Sequence, residues 1–135
     1  MFDLEKEKEK LNYIIERRDE ILADIKECYR LDEEQYETLE DIDAAIACEE
    51  LCLIFCDLRD IEYINTLYYK QRQLIKVLEC LSKPDEESKK TGKEALHKLI
   101  EEATRARRCL QIDIKKAERN MEELDEILKT CNKIQ

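Results

Sequence analysis

Leu31-Asp32-Glu33-Glu34-Gln35-Tyr36 is the point at which an otherwise unbroken helical pattern can reverse. Asp32 can accept from the backbone N–H of Gln35 while the Gln35 side chain reaches back, the reciprocal arrangement of a capping box. Leu31 and Tyr36 stand at the two positions of a hydrophobic staple around it. On both sides of this stretch, from Phe2 to Leu81, there is no glycine and no proline, and an apolar residue returns every three or four positions. That spacing keeps apolar side chains on one face of an α-helix. No glycine marks the end of the preceding helix, so the competing reading is one continuous rod to Leu81.

Upstream, the pattern predicts a first helix over residues 3–29, with Leu4, Leu11, Ile14, Ile15, Ile21, Leu22, Ile25 and Cys28 as its stripe. Downstream it predicts a second helix over 33–81. Ala45, Ala47, Leu53, Phe55, Tyr68, Ile75 and Val77 widen its apolar stripe beyond one face, which suits a central helix flanked on two sides. Ser82-Lys83-Pro84 ends it, because proline disfavours helical geometry in the residue before it. Thr91 and Glu94 form a second capping box and open a third helix over 93–134. There Leu96, Ala103, Leu110, Ala117, Leu124 and Cys131 recur every seven residues, beside Ile100, Arg107, Ile114, Met121 and Leu128. A seven-residue repeat implies left-handed packing of helices at about 20°. The expected fold is therefore all-α: one domain, residues 1–135, forming an elongated, coiled-coil-like antiparallel three-helix bundle. The third helix folds back along the second, and the first covers the second's N-terminal half.

Composition narrows the function. Of 135 residues, 43% are charged, against about 25% in an average domain, and the formal net charge is −10. Nucleic acid is disfavoured as a direct ligand, since phosphate contacts need clustered Lys and Arg. The longest uncharged run, Tyr63 to Tyr69, has seven residues, far short of the roughly 20 that span a bilayer. The start, Met1-Phe2-Asp3-Leu4-Glu5, lacks an apolar signal core, and seven cysteines in no framework spacing fit a reducing cytoplasm. The charge is uneven. Asp32 to Glu62 holds twelve acids against one base, Arg59, whereas Arg105, Arg107, Arg108, Lys115, Lys116 and Arg119 cluster in the third helix. Such complementary blocks ordinarily set hairpin register.

Catalysis has little to stand on. There is no Gly-rich phosphate loop and no nucleophile elbow, and His97 is the one histidine. Glu94-x-x-His97 matches half of a di-iron carboxylate motif, which needs two. Cys48, Cys52 and Cys56 fall at i, i+4 and i+8, a stripe that could offer thiolates to Zn²⁺ or Cu⁺, although buried cysteine in helical cores usually acts as a small hydrophobe. The expectation is a non-catalytic protein–protein interaction module (adaptor, scaffold, chaperone-like or inhibitor) with no cofactor, binding a basic protein partner or a second copy of itself. The alternative is a thiolate metal-binding bundle. Two surfaces stand out for partner binding: the acidic face with Glu37, Glu40, Asp41 and Glu49, and the flank with Tyr63, Tyr68 and Tyr69 beside Lys70 and Arg72.

Overall fold

The computed structural model describes residues 3–135 and is all-α, with no strand among them. Four helices follow in order: α1 (Leu4–Tyr29), α2 (Leu39–Ala47), α3 (Phe55–Ser82) and α4 (Glu86–Ile134). The chain divides into two units, one ending at Leu96 and the other comprising His97–Gln135.

α1 has the predicted extent. Asp3 caps it by accepting from the Lys6 N–H at 3.0 Å. Its C-terminal end curls through Arg30, which takes the left-handed conformation (φ 53°). Arg30 N–H then donates to the Glu27 carbonyl and Leu31 N–H to the Lys26 carbonyl, the paired bonds of a Schellman motif. The break at residues 31–36 is therefore real, and Leu31 packs against the cluster that buries Tyr36. The cap that opens the next helix lies elsewhere. Asp32 Oδ1 accepts from Glu34 N–H, and the reciprocal box is made by Thr38 and Asp41.

The helix expected over 33–81 is two helices. α2 ends after nine residues, and a second Schellman motif follows. Glu49 takes φ 59°, its N–H donates to the Ile46 carbonyl, and the Glu50 N–H donates to the Ala45 carbonyl at 2.9 Å. A non-glycine residue in this region carries a penalty of roughly 1–2 kcal/mol. α3 then begins without a side-chain cap of its own. Tyr29 supplies the connection: its hydroxyl accepts from Ile54 N–H at 2.9 Å and donates to Asp57 Oδ2 at 2.6 Å.

This second reversal lays α1 along α3, antiparallel, instead of along residues 33–58. Gln71 Nε2 donates to the Glu7 carbonyl and carboxylate, Arg18 meets Asn65 and Tyr68, and Tyr29 meets Asp57. α2 contributes to the same core. Ile14, Leu22 and Ile25 from α1, Leu39, Ile42 and Ala45 from α2, and Ile61 and Ile64 from α3 form one buried cluster. Ile42 and Ile64 are fully enclosed.

The third expected helix starts earlier than 93. Asp85 Oδ2 accepts from Ser88 N–H at 2.9 Å directly after Pro84, so Thr91 and Glu94 lie inside α4 and cap nothing. Gly92 lets α3 and the first turns of α4 come close: a Cβ there would lie 3.0 Å from Leu81 Cδ2 and 3.2 Å from Cys80 Cβ. Beyond Leu96 the expected burial of the heptad face is absent. Its large residues, Ile100, Leu110, Ile114, Met121, Leu124 and Leu128, are exposed by 45% (Leu110) to 64% (Met121).

Two substitutions test this description. Glu49→Gly should raise the unfolding free energy by about 0.5–1 kcal/mol, since glycine tolerates positive φ; a continuous helix through residue 49 would instead lose about that much. Gly92→Leu should lower it by about 1–3 kcal/mol by overpacking against Leu81 and Cys80. Urea denaturation followed by circular dichroism reads both.

Candidate functional site

The acidic block and the tyrosine flank, separate surfaces in the sequence reading, meet at the junction of α1, α2 and α3. Arg18 of α1 is at its centre. Its guanidinium pairs with the Glu40 carboxylate and donates to Asn65 Oδ1 at 3.3 Å. It also lies 3.9 Å from the centre of the Tyr68 ring, a cation–π contact that Arg72 makes from 5.4 Å. Tyr69 stacks edge-on against Tyr68 and donates its hydroxyl to Glu40 at 3.3 Å. The flank expected to be left open by the first helix is thus partly covered by it, with Tyr63 and Tyr69 still 45% and 43% exposed.

Electrostatics follows from these contacts. Burial pushes the Glu40 carboxyl up, but hydrogen bonding and charge from Arg18 outweigh it and hold the group below its usual range. Backbone and side-chain hydrogen bonds from Thr38 lower Asp41 in the same sense. Asp43 behaves oppositely: burial raises it, against a hydrogen bond from Asn65 Nδ2 at 2.9 Å. The Tyr69 hydroxyl is raised by burial and then by the neighbouring Glu40 charge. Asp43, Asn65 and Tyr69 line a wide, shallow groove of about 490 Å³ floored by Ile46, Leu58 and Ile61.

The predicted acidic residues therefore divide by role. Glu40 is tied to Arg18 and Tyr69, and Asp41 is occupied in capping α2 through the N–H groups of Glu37 and Thr38, both at 3.0 Å. Glu37 and Glu49 are exposed. Ion pairs to this block include Arg18–Glu40 and Lys26–Glu33 from α1 and Arg59–Glu62 within α3.

The cysteine stripe does not form, because the helix that would carry it is interrupted. Cys48 terminates α2, Cys52 lies in the connecting segment and Cys56 is in the first turn of α3. All three are exposed, so they are not core fillers either. Among the described residues no group of three or more His, Cys, Asp or Glu is placed to hold a metal. His97 pairs with Glu101 one turn later, at 3.2 Å, and both side chains are exposed.

Most of the exposed large apolar residues of the described chain are on the second unit, where the heptad residues of α4 line one face of a helix. The seven-residue repeat announced this face in the sequence, but the sequence reading assigned it to the core. No helix of the described chain is long and apolar enough to cross a membrane.

The opposite shifts of Glu40 and Asp43 give opposite outcomes. Glu40 is lower in the folded state, so its contribution is complete above the unfolded value of about 4.3 and disappears as pH falls through the folded value. Glu40→Gln should cost up to about 1 kcal/mol at pH 7, a modest loss because the pair is half exposed, and the difference from wild type should shrink towards pH 3. Asp43 is raised, so its ionisation opposes folding, and Asp43→Asn should stabilise the protein at pH 7. Urea titrations at several pH values measure both. Comparison of the chain with family models, with curated proteins and with solved structures returns no match.

Proposed function

We propose that this protein is a non-catalytic interaction module that engages a partner helix through the heptad face of α4. The exposure of that face carries the reading. Folded monomers seldom leave contiguous apolar patches beyond a few hundred Å² open to water, and larger ones mark binding surfaces. An apolar stripe at heptad spacing fits one kind of ligand best, another amphipathic helix whose side chains interdigitate with it.

The first unit supplies a different resource. With Glu40 and Asp41 engaged in the fold, Glu37 and Glu49 are the open members of the acidic face. Negative surface potential of this kind speeds capture of basic partners more than it tightens their binding. The seven free cysteines fit a reducing, cytoplasmic setting. The chemistry on display suits an adaptor or scaffold better than an enzyme: carboxylates tied up in caps and ion pairs, one exposed histidine and a shallow groove.

Affinity capture from cells expressing the tagged chain, run beside a Leu124→Glu/Leu128→Glu variant, tests the module. Whatever binds the wild type, a differently tagged second copy included, should be reduced at least tenfold on the variant while circular dichroism shows the first unit folded. Capture of the same species by both chains would overturn the reading.

A further inference from the structure

We infer that the helix docking on this face is the same segment of a second copy, antiparallel and centred near Lys115–Lys116, so that two second units form a two-stranded coiled coil. The inference rests on the interaction-module reading and names its partner. It follows from side-chain size and length along residues 97–135.

Size comes first. In a heptad reading, Ile100, Arg107, Ile114, Met121 and Leu128 form one seam series, and Ala103, Leu110, Ala117 and Leu124 form the other. A parallel, in-register pair would set each residue against itself. Arg107 would meet Arg107 in the seam, and Ala103 and Ala117 would each face another alanine across a gap. An antiparallel pair instead sets one series against the other. The register that places Arg107 opposite Leu124 of the second copy also places Leu110 opposite Met121, Ala103 opposite Leu128 and Ala117 opposite Ile114. Each alanine then faces a large side chain. His97 falls opposite Ile134, so the overlap runs the length of the second unit.

Area is sufficient. A half-exposed Leu, Ile or Met offers roughly 100 Å² of apolar surface. The six large seam residues, with Ile127 able to lie over Ala106 of the second copy, give on the order of 600–800 Å² on each chain. A standard interface buries about 800 Å² per partner.

Light scattering and sedimentation of the full chain at tens of micromolar test the inference. The expected mass is twice 16.2 kDa. Ile114→Glu, at the centre of the seam, should give single chains. Ala117→Leu should weaken association about tenfold by overpacking against Ile114 of the second copy, whereas in a parallel pair it would fill the gap between two alanines and tighten it. Folding of the first unit, read from the cooperative unfolding transition, should be unchanged in both. A wild-type mass of one chain, or of more than two, would overturn the inference. So would a dimer that survives Ile114→Glu, or one that Ala117→Leu tightens. A single-chain mass together with face-dependent capture of another protein would remove self-pairing and leave the interaction module standing; loss of face dependence in capture and mass alike would remove both.

Discussion

Burial of α2 is the constraint on which the arrangement of α1 and α3 depends. A nine-residue helix has no stability of its own in water. This one exists because Leu39, Ile42 and Ala45 enter the cluster formed with Ile14, Leu22 and Ile25 on one side and Ile61 and Ile64 on the other. Fully burying a Leu or Ile is worth about 1.5–3 kcal/mol. Two such residues offset the strain of Arg30 and Glu49, each held at positive φ to let the chain turn into and out of α2. Without those turns α1 could not run antiparallel to α3. The core would then lose one of its three walls.

Charge serves this geometry at close range. Most acids between Asp32 and Asp57 that make described contacts act as fasteners for individual joints. Asp41 caps α2, Glu40 anchors Arg18 of α1, Asp43 accepts from Asn65 of α3, Glu33 pairs with Lys26, and Asp57 accepts from Tyr29. Solvent-exposed ion pairs add little stability individually. Arg18 differs because its side chain is 12% exposed and contacts three groups on two helices at once, Glu40 of α2 and Asn65 and the Tyr68 face of α3. Such a residue fixes where α1 sits along α3 more than it strengthens the contact, since sliding α1 by one turn would break all three contacts together.

How much of this was legible in the sequence depended on whether the deciding signal was local. Apolar spacing announced helices throughout, and α1 has the boundaries that spacing implied. The reversal after Tyr29 was visible through Leu31 and Tyr36, both of which pack in the core, although the capping chemistry fell to Thr38 and Asp41. The break at Cys48–Ile54 was not legible. It contains no glycine or proline, and its left-handed position is filled by Glu49, a residue whose local preference is helical. Tertiary burial of α2 and α3 on the same cluster overrode that preference. The cysteine stripe and the continuous acidic face disappeared with the uninterrupted helix that defined them. The start of α4 was misplaced for a simpler reason: Asp85 and Ser88, a cap directly behind Pro84, stand earlier in the chain than the box read at Thr91.

The second unit presents the opposite problem. Its pattern was the clearest in the sequence, yet its partner could not be read from the repeat itself, because a heptad specifies the geometry of a contact and not who supplies the other side. The discriminating information is in the irregular positions. A uniform Leu and Ile seam would pair with itself in either direction. Ala103, Arg107 and Ala117 break that degeneracy: set against themselves they leave gaps and a buried like-charge pair, whereas set against the other seam series they meet Leu128, Leu124 and Ile114. Imperfections in a repeat therefore carry more about orientation than the repeat does. Volume in the seam and the length of the overlap thus converge on one alignment of this helix with its own copy.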